Sequence, residues 1–423
     1  MDRLEVDRQN IWHPFGPLKG AERIVIERGE GAYLVTPEGR KILDGVSSWW
    51  VNLHGHGNPI LAQAIADQAM KLEQVIFAGF THEPAIKLSE NLLSVLPENQ
   101  SKIFFSDDGS TSVEVALKLA IQFWHNDGVP RRKIIAIEGA YHGDTFGAMS
   151  VADRNMFSAP FDDKLFEVQF IPFPEGDGKN AIEAFNKLCD DHTAAFIFEP
   201  LIQGAGGMRI YTVEVLEELL AIASKHKVVT IADEVMTGFY RTGKFFATDY
   251  VKHNPDLFCM SKGLTGGFLP MGITAASQRV VSAFDHSDYA KTFWHGHSYT
   301  ANPLACSVAN ASFEILMSTD CQDSIQQISS THKNFVSKFR NHPKLSKIDS
   351  RGTIMSLELN VKDAGYSSSI RDRLYDHFLS RDILLRPLGN VLYILPPYVI
   401  TTEDLYRIYS ELEALLEGKH FSF

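Results

Sequence analysis

The chain has 423 residues, 44% of them hydrophobic, with 40 Lys and Arg against 52 Asp and Glu and a formal net charge of −12. That length and apolar content suffice for a large core divided between two domains, while the acidic balance excludes nucleic acid and anionic membrane surfaces as natural partners. No apolar run approaches the ~18 residues a membrane-crossing helix needs, the stretch from Met1 to Arg8 is rich in charge, and the four cysteines are scattered without a CxxC pair; the expectation is a cytoplasmic protein with neither a secretory signal, a disulfide framework nor a zinc site.

In chain order, the first strand expected in the middle of the chain is Lys102–Ser106. A small-residue turn follows, then a helix over Ser110–Trp124 with Val113, Leu117, Ala120, Ile121 and Trp124 on one stripe. Further strands are expected at Lys133–Ile137, Ala195–Phe198 and Val228–Ala232, with another apolar run at Leu257–Met260. Each is continuously apolar, as strands covered on both faces are. Strands alternating with helices predict an α/β fold built on a mostly parallel sheet. After about Met317 the pattern changes to long amphipathic helices and then alternating strands ending near Pro397, which predicts a smaller α+β domain. The expected division is residues 1–58 as an N-terminal segment packing with the small domain, 59–318 as the large domain and 319–423 as the small one.

Parallel sheets bind ligands beyond the C-terminal ends of their strands, and three features stand at such ends. In Ser106–Glu114, Gly109 allows close backbone approach, and the free N–H groups and hydroxyls of Ser110 and Ser112 suit a phosphate. Alone, this is equally an ordinary capped helix start. Asp233 directly follows an apolar strand, where a carboxylate can hold a proton on a pyridine nitrogen; alone, it is a turn acid. Lys262 follows Leu257–Met260, where enclosure would favour the neutral, nucleophilic amine; alone, it is a surface lysine before a glycine. Their occurrence together in this order raises the chemical reading above the three plain ones.

Other motifs carry less. Gly238–Phe245 nearly matches a nucleotide-binding P-loop, but Phe245 occupies the place of the hydroxyl that binds magnesium. No GxGxxG follows a strand. His54, His56, His295 and His297 lack acidic or cysteine partners at metal-binding spacing and read as loop histidines.

With these residues in view, the run Asp233–Lys244, the triad Ser261-Lys262-Gly263 and the stretch Asn302–Ala305 resemble the class III (omega) aminotransferases. The resemblance spans essentially the whole chain. It implies the type I fold of transferases that use pyridoxal 5'-phosphate (PLP), with a seven-stranded sheet in the large domain, and a homodimer with shared active sites. Further segments (Trp12–Phe15, Asp44–Trp50, Gly139–Ser150, Gln203–Met208 and Arg386–Gly389) resemble those family members that pass an amino group from S-adenosylmethionine to the keto acid 8-amino-7-oxononanoate in biotin synthesis.

Carried over position by position, the resemblance implies Lys262 as the cofactor-bearing lysine and Asp233 as partner of the pyridine nitrogen. It puts Gly109 and Ser110 on the phosphate and Tyr141 against the ring. His297 and Ser298 would reach the phosphate from the neighbouring subunit. Trp49, Tyr141, Gly296 and Arg386 would line the substrate site, with Arg386 suited to a carboxylate through its planar fork. Phe15 departs from the family's frequent tyrosine after Trp-His-Pro; the missing hydroxyl leaves the keto acid in place but opens the question of the amino donor. Two alternatives stand beside this reading: another class III enzyme acting on an omega-amino acid or diamine, and a PLP-binding regulator without catalysis. Intact Lys262, Asp233 and Arg386 disfavour the latter.

Overall fold

The computed structural model describes residues 3–19, 23–365 and 368–419; Met1 and Asp2 of the charged N-terminal stretch lie outside them. The continuous apolar runs form the centre of a seven-stranded sheet. Its order is Gln100–Ser106, Gly272–Ser277, Leu257–Met260, Val229–Asp233, Thr193–Phe198, Lys133–Ile137 and Gln169–Ile171. All run parallel except Gly272–Ser277, which is antiparallel to both neighbours.

Every residue of Thr193–Phe198, Val229–Asp233 and Leu257–Met260 is buried. Alternate side chains enter two different cores: Phe196 and Phe198 join one, Ala195 and Ile197 the other. With no face open to water, these strands have no use for polar alternation. Two strands, Gln169–Ile171 and Gly272–Ser277, are additions to those expected. The helix after the first strand spans Gly109–Asn126. It begins at Asp108, whose carboxylate accepts from Thr111 N at 2.8 Å while Asp108 N donates to the Thr111 hydroxyl at 2.9 Å. Val113, Leu117, Ala120 and Trp124 are buried as the stripe predicts, but Ile121 is 43% exposed. The buried arc is narrower at that turn than the apolar pattern.

Both ends of the chain meet in a second sheet. Tyr33–Val35 pairs antiparallel with Arg28–Glu30 and with Lys41–Asp44, and Ile383–Leu384 adds in parallel, Leu43 opposite Ile383 and Asp44 opposite Leu384. A three-stranded antiparallel sheet, Leu345–Arg351, Ile354–Leu359 and Val391–Ile394, carries the helix Thr319–Phe339. Arg241, 1% exposed, ties these parts to the loop after Asp233. Its guanidinium donates to the carbonyls of Pro396 (2.8 Å) and Asn52 (3.1 Å), and its own carbonyl accepts from Thr353 N (2.9 Å). Among the described residues no helix is long and apolar enough to cross a membrane.

Candidate active site

Lys262 comes directly after the strand Leu257–Met260 and Ser261, with φ of +48°. A side chain in the left-handed region is strained, and such strain concentrates where the surroundings impose it. Its Nζ lies 4.8 Å from the centre of the Trp50 ring. Burial pushes the amine's pKa down, while Asp233 and Glu199 pull it back up. Asp233 closes the neighbouring strand; its Oδ2 lies 2.7 Å from His142 Nδ1 and its Oδ1 accepts from Val235 N at 3.1 Å. His142 Nε2 is buried without a hydrogen-bond partner among the described residues.

Gly109 brings the helix start against these strand ends: a Cβ there would stand 2.7 Å from Val235 Cγ1 and 3.6 Å from Ser261 Cβ. Beside it, Ser110 Oγ accepts from Thr145 N at 3.0 Å and shares a 2.9 Å bond with the Thr145 hydroxyl. Gly143 closes this cradle with φ of +129°, and a Cβ on it would come within 2.2 Å of Ser110 Oγ. Tyr141 lies on the same segment. Its hydroxyl donates to Asp144 Oδ2 at 2.9 Å, and burial together with Asp144 pushes the phenol pKa up. Its backbone N donates to Glu199 Oε1 at 3.0 Å. Glu199 also accepts from Gly204 N at 2.8 Å; burial raises its pKa to about 7, Asp233 adding to the effect and His142 opposing it.

A second group forms at the double tryptophan. Asp44 accepts from the backbone N of Val46 (3.0 Å) and Ser48 (2.6 Å) and bonds His56 Nε2 (2.9 Å). These bonds hold a turn in which Ser47, Ser48 and Trp50 have positive φ. Trp50 turns inward, 5% exposed, and donates to the Tyr393 hydroxyl at 3.0 Å; Trp49 turns outward, 39% exposed. Phe15 meets Trp49 edge-on with ring centres 5.2 Å apart, and the Arg386 guanidinium lies 4.6 Å over the Trp49 ring. Arg386 reaches it because Leu384, two residues earlier, pairs with Asp44.

The structure thus gathers Lys262, Asp233, Gly109, Ser110 and Tyr141 in one place and Phe15, Trp49 and Arg386 in another, joined by Trp50. Gly296, His297 and Ser298 do not join either within one chain. His297 Nδ1 stands 3.1 Å from Asp107 Oδ2 without hydrogen-bond geometry, and the Ser298 carbonyl accepts from Gln74 Nε2 at 2.9 Å. His54 bonds the Ser312 hydroxyl and His56 bonds Asp44; among the described residues no group of three or more His, Cys, Asp or Glu could hold a metal. Sequence reasoning gave no role to His142, Asp144, Thr145, Trp50 or Glu199. For Glu199 a signal existed, since it follows an apolar strand as Asp233 does.

A buried amine beside a flat aromatic wall, a strand-end carboxylate and a cradle with no room for side chains fit an aromatic aldehyde bearing a phosphate. The description Aminotransferase class-III matches residues 18–416, and the chain belongs to that family. Within it, the chain is similar to the adenosylmethionine-8-amino-7-oxononanoate aminotransferase of Synechococcus elongatus, with 47% identity over 96% of this chain and 98% of the relative. The crystal structure of the enzyme of that name from Methanocaldococcus jannaschii superposes with a TM-score of 0.93 at 32% identity, covering 99% of each chain. An amine transaminase from an uncultivated Pseudomonas species, solved in a PLP-bound form, superposes with a TM-score of 0.89 at 27% identity, covering 96% of this chain and 98% of its own.

Proposed function

We propose that this aminotransferase converts 8-amino-7-oxononanoate to 7,8-diaminononanoate in biotin synthesis, with S-adenosylmethionine as amino donor and PLP as cofactor, acting as a cytoplasmic homodimer. The observation that carries the reading is Lys262: an amine buried against Trp50, with Asp233 and Glu199 acting on its charge, next to the cradle of Gly109, Ser110 and Gly143.

PLP supplies an aldehyde that takes up an amino group and a ring that draws electrons from the adjacent carbon. Lys262 would hold that cofactor; burial lowers the pKa of its amine and so favours the nucleophilic form. When free, the Lys262 Nζ would be the group placed to take up and give back a proton at the amino-bearing carbon, acting as base and then acid within each half-reaction. Asp233, held by His142, would keep a proton on the ring nitrogen. Gly109 and Ser110 offer N–H and hydroxyl groups to the phosphate at a helix N-terminus. Tyr141 would lie against the ring face. Phe15 and Trp49 line the substrate entry with Gly296 of a second copy, and Arg386 takes the acceptor's far carboxylate in a forked contact. His297 and Ser298 of a second copy complete the phosphate site.

The test is a donor screen with 8-amino-7-oxononanoate as fixed acceptor, product being followed by mass spectrometry. Formation of the diamine with S-adenosylmethionine supports the full reading. Formation only with another donor, such as lysine, keeps the acceptor and replaces the donor. No product with any donor, alongside turnover of omega-amino acids, removes the assignment.

A further inference from the structure

One buried carboxylate beside the site acts on the charge of Lys262 but is given no place in shaping the site above. Glu199 follows the strand Thr193–Phe198 and is 5% exposed. Its two oxygens are divided between two chain segments: Oε1 takes the N–H of Tyr141 at 3.0 Å and Oε2 that of Gly204 at 2.8 Å. Its backbone carbonyl is fixed in turn by the Tyr211 hydroxyl at 2.7 Å. Glu199 thereby ties the Tyr141 segment to the Gly204 segment. Tyr141 carries the aromatic ring and the hydroxyl bonded to Asp144. Gly204 lies directly under Trp50, where a Cβ would meet the Trp50 ring at 3.1 Å, and that ring is 4.8 Å from Lys262 Nζ.

We infer that Glu199 is a positioning residue: its carboxylate sets the separation between the Tyr141 wall and the Gly204–Trp50 wall, and so shapes the slot that receives the cofactor ring beside Lys262. Ionised, above its raised pKa of about 7, the carboxylate offers two acceptors and no donor, so both backbone N–H groups are satisfied at once. Glutamine would satisfy one and turn its own NH2 toward the other, leaving a buried donor unpaired. The inference rests on the reading that PLP binds here.

The apoprotein is titrated with PLP, and the dissociation constant and visible circular dichroism of the bound cofactor are recorded. Asp256→Asn is the control. Asp256 is a buried carboxylate at the other end of the same sheet, accepting from Thr230 N at 3.1 Å and pairing with Arg279 at 2.9 Å. Glu199→Gln is expected to weaken PLP binding about ten- to a hundredfold and to change the circular dichroism, while Asp256→Asn lowers the melting temperature and leaves affinity within about threefold. Affinity and dichroism unchanged in Glu199→Gln overturn the inference, as does an equal loss in Asp256→Asn. Should Glu199→Gln fail to fold, Tyr211→Phe decides, since it frees the Glu199 backbone alone. Weakening of about three- to tenfold supports the role and an unchanged affinity overturns it. A wild-type chain that binds no PLP refutes the underlying reading instead.

Discussion

Trp49 and Arg386 are separated by most of the sequence, yet the guanidinium lies over the indole and both face water. Among the described residues Arg386 makes no ion pair, so its charge is open to a ligand. Arg386→Ala is therefore expected to raise KM for 8-amino-7-oxononanoate about ten- to a hundredfold, the loss of roughly 1.5–3 kcal/mol from a charge-assisted contact. The donor half-reaction, measured separately, should be little changed; equal damage to both halves would make Arg386 a structural residue. Lys262→Ala should stay folded yet lose its hold on PLP, with borohydride treatment giving no gain in protein mass. A mass increase in that variant would assign the cofactor to another lysine. At this scale the positions of Asp233 and Lys262 at strand ends and of Gly109 at a helix start were legible, because unbroken apolar runs and a turn glycine mark them. Glu199 follows an apolar strand in the same way, but its partners are backbone N–H groups of Tyr141 and Gly204, and backbone donors leave no trace in side-chain identity to say what it does.

Among the elements, the strands read most clearly were those buried on both faces, where the apolar run is unbroken. Gly272–Ser277 was missed although it too is fully buried: Gly, Thr, two alanines and Ser carry little hydrophobic signal, and its place is fixed by pairing with strands on both sides. Gln169–Ile171 is too short to show a period. The cradle between the Gly109 helix and the segment after Tyr141 depends on Gly143 lacking a side chain. Gly143→Ala sets a methyl against Ser110 Oγ and forces φ of +129° on a residue that resists it, a strain of about 1–3 kcal/mol. The expected result is a lower apoprotein melting temperature together with weaker PLP binding. Full PLP affinity in that variant would show that Ser110 is not a phosphate ligand.

Over the whole molecule, buried ionisable groups oppose one another in their response to pH. Glu199 and Glu234 are raised from 4.5 to about 7 by burial. Between those values the folded chain binds protons that the unfolded chain has released, so each glutamate removes stability as pH rises through that window, by about 3 kcal/mol at most, and no more above it. His54 and His332, lowered by burial to about 3 and about 4, act in the other sense: the folded chain leaves them neutral while the unfolded chain takes up protons below about 6.5, so their contribution grows as pH rises toward that value. The sum is a shallow curve. The difference is diagnostic: in apoprotein denaturation, wild type minus Glu234→Gln should fall from about pH 4.5 to 7. A difference that rises over that range would show Glu234 to be ionised in the fold at low pH.

The parallel pairing of Lys41–Asp44 with Ile383–Leu384 also has a consequence in time. Asp44 anchors the turn that presents Trp49, and Leu384 delivers Arg386 to it, so the contact of Arg386 with Trp49 exists only when both strands do. Some 340 residues separate them. At ~5–20 residues per second, the ribosome needs about 20–70 s to bring the second strand out after the first. For that interval the nascent chain carries an unpaired strand edge at its N-terminus, a template for pairing with the wrong chain. The seven-stranded sheet, finished by residue 277, can form in the meantime. The pairing of Trp49 with Arg386 is thus set late in synthesis, long after the turn that carries Trp49 has emerged.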